Sequence, residues 1–382
     1  MEKKRIGIMT LQASHNCGSM LQAYALKRVL EERYFCKAEI INFCSPQQER
    51  MYAIWNKGHF VGNLLKNIKM LPYYRRLKCQ YNDYEYFAKE YLNVDDRRFS
   101  SEKELKNANL DYDLIIFGSD QIWNMDMVDY DTAFWGEWDL DIPKAAYAAS
   151  MGEVTESTIV KNRDFLLKNI SAFTKISVRD DKTQKYLDEI SGVTYPIVAD
   201  PTLLLEEKQW SQIAGEERLV KEKYIFYYSY AYNSSVNNEA VKRISNELQL
   251  PVYVINLQKW KKEKYSDYGF RMSRHSGPLI YLNLMKYAEY VLVESLHGMI
   301  FSSIFKKKFL VFDLNLMKDE QIDARINSMT KQLGVQSRIS NPQEITIDNL
   351  LETIDYAKVD SQINTMRCES LKTLDDIVNR GE

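Results

Sequence analysis

A chain of 382 residues and 44.9 kDa, 45% hydrophobic and 27% charged, holds material for two domains of ordinary size and is too apolar to be disordered. A net charge of −2 excludes a protein built to coat nucleic acid, which is not an expected partner. The five cysteines, Cys17, Cys36, Cys44, Cys79 and Cys368, are odd in number and lack C-x-x-C spacing, which points to neither a zinc site nor a secreted disulfide framework.

Met1 to Arg5 runs straight into a short strand without the apolar stretch of a signal peptide, and no run reaches the ~18 apolar residues of a membrane span, so a cytoplasmic location is expected. Arg5 to Thr10 reads as a buried parallel strand and Ser19 to Glu32 as a helix with Leu21, Ala25, Leu26 and Val29 inward. The loop between them carries Asn16 and a single glycine, Gly18, just before Ser19, a residue type favoured at helix N-caps. One glycine is a far weaker phosphate signature than G-x-G-x-x-G, and a plain tight turn explains it equally well.

After a second strand, Ala38 to Phe43, the composition changes. From Arg50 to Asn82 there are seven Lys or Arg and no Asp or Glu, interleaved with Trp55, Phe60, Leu64, Leu65, Ile68, Met70, Leu71, Tyr73 and Tyr74. Such a basic amphipathic insertion, about 45–100, either packs its apolar side on the domain or lies on an anionic bilayer. Leu71-Pro72 should break any helix there.

Tyr112 to Phe117 is a strong buried strand that delivers Gly118-Ser-Asp-Gln-Ile-Trp-Asn124 to its carboxyl end. Asp120, Gln121 and Asn124 are suited to sugar hydroxyls and Trp123 to an apolar sugar face. The structural alternative is a hydrogen-bonded turn over a buried indole. Strands Lys144 to Ala149 and Lys175 to Val178 flank a helix Thr158 to Lys168, and the second strand ends at Arg179, either a fork for a carboxylate or phosphate or a partner of Asp180 or Asp181. A short strand closed by Asp200-Pro201 marks the crossing between halves.

The β/α alternation then restarts with a strand Tyr224 to Tyr230, a helix Ser235 to Leu248 and a strand Val252 to Asn256. Leu257 to Gly277 is polar, basic and aperiodic, the best candidate for a mobile loop near a site. A helix Pro278 to Tyr287 leads to Tyr290-Val-Leu-Val293, a strand, and Glu294-Ser-Leu-His-Gly-Met-Ile-Phe301, a turn into a helix. His297 thus stands at a strand's carboxyl end, where open α/β sheets place ligands, with Gly298 beside it and unpaired N–H groups of the helix start nearby. A histidine satisfying a buried loop is the alternative. A strand Lys308 to Phe312, a helix Gln321 to Leu333 and a mostly helical Ile345 to Val378 complete the chain. The architecture appears twice without a visible sequence repeat.

The fold expectation is α/β: two Rossmann-like domains with mostly parallel sheets and a cleft between them, residues 1–195 and 196–340, with a helical tail, 341–382, packing back on the first. A histidine, an arginine, an acid and amides at strand ends, without clustered metal ligands, suit acid/base transfer of an anionic group to a sugar.

Taken together, Arg5-Ile-Gly-Ile-Met-Thr, Asn16-Cys-Gly-Ser, Leu21-Gln-Ala-Tyr-Ala-Leu26, Gly118-Ser-Asp-Gln-Ile-Trp-Asn124, Ser177-Val-Arg-Asp180, Asp200-Pro-Thr202, Gly277-Pro278 and Ser295-Leu-His-Gly298 resemble the polysaccharide pyruvyl transferase family, in order from about residue 5 to Arg338. The resemblance implies a GT-B-like fold and transfer of pyruvate from phosphoenolpyruvate to a sugar of a cell-surface polysaccharide precursor, forming a ketal, with no cofactor and no metal. It implies His297 as general acid and Arg179 as donor-binding, with Asn16, Gly18, Gly298 and Ser295 at the donor. Asp120 is assigned to hydroxyl activation, and Gln121, Trp123 and Asn124 to the acceptor. Family members carry an arginine where this chain has Ser295, so that donor contact is either missing or supplied elsewhere, with Arg271, Arg274, His275 and Lys306 as candidates. The acceptor is either free or lipid-linked, and residues 50–82 offer a peripheral contact with the inner face of the membrane. The alternatives are a GT-B-type glycosyltransferase using a nucleotide sugar and a catalytically silent carbohydrate-binding homologue.

Overall fold

The computed structural model describes residues 3–55, 61–94, 97–138, 141–260, 264–313, 315–316 and 322–379; the side chains of residues 61–64 and 66 lie outside that description. The expectations placed on Phe60, Leu64 and Gln321 therefore fall outside the described residues or side chains.

The N-terminal unit is built from β1 (Arg5–Met9), α1 (Cys17–Tyr34), β2 (Lys37–Ile40), α2 (Pro46–Tyr52), α3 (Val61–Met70), α4 (Tyr74–Glu90), α5 (Glu102–Asn107), β3 (Leu114–Phe117), β4 (Lys144–Ala149), α6 (Glu156–Lys161), α7 (Arg163–Ser171), β5 (Lys175–Val178) and α8 (Asp181–Ser191). Its sheet is parallel in the order β2-β1-β3-β4-β5. Nearly every strand position is buried, as expected of strands covered by helices on both faces. The strand order reverses between β1 and β3, which opens a crevice at their carboxyl ends.

The C-terminal unit follows with α9 (Glu207–Ala214), β6 (Ile225–Tyr228), α10 (Ser235–Leu248), β7 (Val252–Val254), β8 (Arg271–Met272), α11 (Pro278–Tyr287), β9 (Tyr290–Val293), α12 (Leu296–Ile304), β10 (Lys308–Phe312), α13 (Ala324–Leu333), β11 (Ile339–Ser340), α14 (Ile347–Leu351) and α15 (Tyr356–Asn379). Its parallel sheet runs β11-β10-β9-β6-β7-β8, so its reversal lies between β6 and β9. Two parallel sheets, each with one reversal, are the expected two-Rossmann α/β architecture.

Helix α15 crosses back to the first unit: Lys4 Nζ donates to the Val378 carbonyl at 2.5 Å, Arg33 and Tyr34 grip Asp375, and the Ser370 hydroxyl receives the Ala199 N–H. One apolar cluster runs continuously from β1 and α1 through Trp210 and Phe301 to Leu374 and Ile377, which welds the units together.

Several boundaries differ from expectation. Helix α1 begins at Cys17 because the Asn16 side chain, not Ser19, caps it, accepting the Gly18 N–H at 2.9 Å. The helix expected over 158–168 is two helices broken at Asn162, and the strand before Asp200 is reduced to a single bridge, Ile197 with Val178. The segment 257–277 is no free loop beside the site: within it β8 extends the sheet, and Gln80 of α4 ties both ends by bonding Ser273 O and Leu257 N. Leu71-Pro72 does end α3, in a 3-10 turn before α4.

Candidate active site

Both sheet reversals open onto one cavity of about 480 Å³. From the first unit come Asn16 and Ser19 after β1, Asp120 and Gln121 after β3, and Arg179 after β5. From the second come Tyr228 and Tyr230 after β6, Glu294 to His297 after β9, and Arg325 on α13. Residues 118 and 120 make the first turn possible: Gly118 has φ +117° and lies so close to the Tyr147 carbonyl that a Cβ would sit 2.3 Å from it, and Asp120 itself has φ +77°.

Four charged side chains form a chain across the cavity floor. Arg179 Nη1 lies 2.8 Å from Asp200 Oδ2 and Nη2 3.3 Å from Asp120 Oδ1; Asp120 Oδ2 also receives the Ser19 hydroxyl at 2.5 Å. Asp200 Oδ2 faces His297 Nε2 at 3.3 Å, within ion-pair reach but off the hydrogen-bonding direction, so the buried Nε2 has no hydrogen-bond partner among the described residues; Arg179 Nε is equally unsatisfied among them. Burial opposes ionisation of both carboxyls. At Asp120 the charges of Arg179 and His297 and the Ser19 hydroxyl outweigh it, and at Asp200 His297, Arg179 and Thr202 do, so both are held below the usual carboxylate range.

The structure places His297 one residue inside α12, whose N-cap is Ser295: its Oγ accepts the Gly298 N–H at 3.0 Å. The imidazole rests on the first turn of α1, where a Cβ on Gly18 would lie 2.2 Å from Nδ1. Two helix N-termini from different units therefore meet at the ring, and their positive ends favour an anion there.

The expected free fork at Arg179 is corrected: the guanidinium is 2% exposed and already bound by two carboxylates, Asp120 and Asp200, neither of them the Asp180 or Asp181 weighed from sequence. Asp180 instead caps α8, accepting the Thr183 N–H at 2.8 Å. Trp123 is corrected too, because its indole is fully enclosed, stacked on Trp135 at 4.5 Å, and unable to meet a sugar. Asn124 does not line the cavity; its Nδ2 bonds Gln121 Oε1 at 3.1 Å and orients that residue, which does. Arg271, Arg274, His275 and Lys306 all lie off the cavity, Arg271 paired with Glu222 and Lys306 with Asp360.

Sequence reasoning missed Asp200 as the bridge, Arg325 as the second cavity guanidinium, and Glu294. Arg325 is held by Asp323, its Nε 3.0 Å from Oδ1. Burial pushes the Glu294 carboxyl up against the hydrogen bonds it receives from Tyr227 and Ser229. Nothing in spacing marked Arg325, which lies twenty-eight residues beyond His297 by its number and reaches the cavity only through the packing of α13.

These features define a GT-B-like pair of Rossmann domains with a polar cavity between them, where two arginines, a histidine and several carboxyls meet. The fold is similar to that of a protein described as a UDP-N-acetylglucosamine 2-epimerase from Listeria monocytogenes, at 10% identity over 100% of this chain and 98% of that one with TM-score 0.55. It is similar also to MnaA of S. aureus with UDP, at 11% identity over 99% and 97% with TM-score 0.52. The N-terminal domain of Candida albicans trehalose-6-phosphate phosphatase matches at 9% identity over 100% of both chains with TM-score 0.50. No curated protein sequence matches significantly. The family model "polysaccharide pyruvyl transferase" matches residues 16–315, and the chain belongs to that family.

Proposed function

We propose that the protein transfers pyruvate from phosphoenolpyruvate to a saccharide, closing a cyclic ketal, in the cavity between its two sheets. The observation that carries this reading is the meeting of His297, Arg179, Asp120 and Asp200 with two helix N-termini at one cavity floor. His297, as imidazolium, gives a proton to the donor methylene, which becomes a methyl group and leaves C2 cationic. One sugar hydroxyl adds to C2 and loses its proton to the site. A second hydroxyl then bonds to C2 in place of phosphate, which departs with the C2–O bond electrons and takes up that hydroxyl's proton. Asp200 faces the ring's Nε2 from behind at 3.3 Å, and Arg179 holds Asp200 and Asp120 in place.

Arg179 gives both Nη atoms to carboxylates, whereas Arg325 pairs with Asp323 through Nε and Nη2, so Arg325 Nη1 and the N–H groups of α1 and α12 take the donor's anionic charge, and Arg325 supplies the guanidinium that Ser295 does not. Of the carboxyls lining the cavity, which also include Asp126, Asp129 and Asp323, Asp120, kept ionised, and Glu294, pushed up by burial, are the pair assigned to the acceptor hydroxyls. Gln121, Tyr52 and Tyr230 line the acceptor side. Tyr52 also walls a neighbouring hollow of about 340 Å³ containing His15 and Tyr81, where the buried Gln12 Oε1 has no partner; further sugars of the acceptor extend there.

Incubation with phosphoenolpyruvate, or with nucleotide sugars, and a panel of saccharides bearing adjacent free hydroxyls tests the reading. Saccharide-dependent phosphate release is expected, with kcat reduced by ~10²–10⁴ in His297→Gln while donor binding persists. Nucleotide release without phosphate release would make the protein a glycosyltransferase, and glycan binding without either would make it silent.

A membrane-proximal acceptor is favoured by a second observation. On α3 and the turn after it, Leu65, Ile68 and Leu71 are each more than half exposed, beside a segment with seven basic and no acidic residues, although among the described residues no helix is long and apolar enough to cross a membrane. This face rests against an anionic bilayer, bringing a lipid-linked acceptor to the cavity.

A further inference from the structure

We infer that Cys79, Asp83 and His275 form a binding site for a divalent metal of borderline softness, Zn²⁺ above all, that clips the inserted helix α4 to the C-terminal unit. Cys79 and Asp83 are four residues apart and so share one face of α4, while His275 arrives from the segment between β8 and α11. His275 Nδ1 lies 3.3 Å from Cys79 Sγ and 3.1 and 3.0 Å from the two Asp83 oxygens, and all three ligand atoms fall within 4.8 Å of one another. Zinc bond lengths of ~2.3 Å to sulfur and ~2.0–2.1 Å to nitrogen and oxygen give tetrahedral edges of about 3.5 Å for S···N and about 3.3 Å for N···O. The observed S···N and N···O separations need to change by only a few tenths of an ångström.

The ligand types fit as well. Thiolate, imidazole and carboxylate are the three zinc donors, and three protein ligands leave a fourth position to water at this half-exposed place. The backbone N–H of Ser276 donates to Asp83 Oδ2 at 3.0 Å, the outer-shell bond that fixes a ligating carboxylate. Binding releases the thiol proton to solvent and leaves the remaining ring proton on Nε2.

The position gives the metal a purpose. Just beyond the ligands, the Tyr84 hydroxyl of α4 sits 3.5 Å from Ser276 Oγ of one unit and 3.4 Å from Cys17 Sγ of the other, at the start of α1. Fixing α4 to the second unit therefore fixes the angle at which the two units meet at the cavity. His275 lies 192 positions from Asp83 and 196 from Cys79 in sequence, which is why cysteine spacing shows no such site.

Titration of the untagged, reduced full-length chain with Co²⁺ tests the proposal. One equivalent should produce the thiolate-to-cobalt charge-transfer band and tetrahedral d–d absorption, both erased by Zn²⁺, and Zn²⁺ should raise the melting temperature. Cys79→Ser should abolish the charge-transfer band, His275→Ala, at an exposed side chain, should weaken Zn²⁺ binding at least tenfold, and Cys368→Ser, on the far α15, should change neither. Absence of the band, its survival in Cys79→Ser, or unchanged Zn²⁺ affinity in His275→Ala would reduce the cluster to a hydrogen-bonded His–Asp–thiol group. The readouts are independent of catalysis, so they stand or fall apart from the proposed transfer reaction.

Discussion

Gly18 answers to both folding and chemistry. Alanine inside a helix is normally worth ~0.5–1 kcal/mol over glycine, yet here the added methyl would meet the His297 ring at 2.2 Å. The methyl would also lie 2.8 Å from the His297 Cβ, so Gly18→Ala should lower the melting temperature and, at a temperature where the variant is still folded, turnover at least tenfold; unchanged turnover in the folded variant would mean that His297 packs rather than reacts. The test at Arg179 is one of stability. Removing it strands two buried carboxylates, so Arg179→Ala should cost about 3–5 kcal/mol in denaturant unfolding at pH 7. A neutral result would contradict the buried pairing. Asp200 adds a pH dependence. Its folded pKa lies below the unfolded value of about 3.9, so its stabilising contribution is complete above that value and drains away as pH falls toward the folded one. Asp200→Asn should be less stable than the parent at pH 7, and the deficit should shrink below about pH 4; a deficit constant with pH would mean that the carboxylate is not ionised in the folded protein. His297 was legible as a candidate because it follows a strand and precedes a helix. Asp200 stood out only as the close of a short strand and as part of a family string, because its role depends on partners at positions 179 and 297, and no local pattern encodes that convergence.

At the scale of elements, strands buried on both faces announced themselves: β4, β5, β9 and β10, with helices α10 and α11, begin and end where their apolar runs do. Misreadings gathered where side chains, rather than periodicity, set the boundary. Asn16 moved the start of α1, Asn162 split a helix, and Gln80 pinned a segment whose polarity suggested mobility. Trp123 misled for a related reason, since an indole at a strand end suits a sugar and a core equally well and only its neighbour Trp135 decides. Helix α3 makes the opposite display, with apolar side chains outward. Replacing Leu65, Ile68 and Leu71 together by serine should weaken binding to phosphatidylserine-containing vesicles at low salt by at least tenfold while turnover on a water-soluble acceptor persists. Equal partition of parent and variant would remove the bilayer from the account.

For the whole molecule, the governing fact is that each sheet reverses its strand order once and the two reversals face the same hollow. One unit supplies Arg179 and Asp120, the other His297 and Arg325, and neither set makes a site alone. The continuous apolar cluster and α15 hold the two halves in that register. The most direct test needs no acceptor: a crystal of the protein soaked with phosphoenolpyruvate. The account predicts the donor in this hollow, its phosphate and carboxylate against Arg325 and the first turns of α1 and α12, with the methylene in reach of the His297 ring. Donor bound on another surface, or an empty hollow at saturating phosphoenolpyruvate, would contradict it.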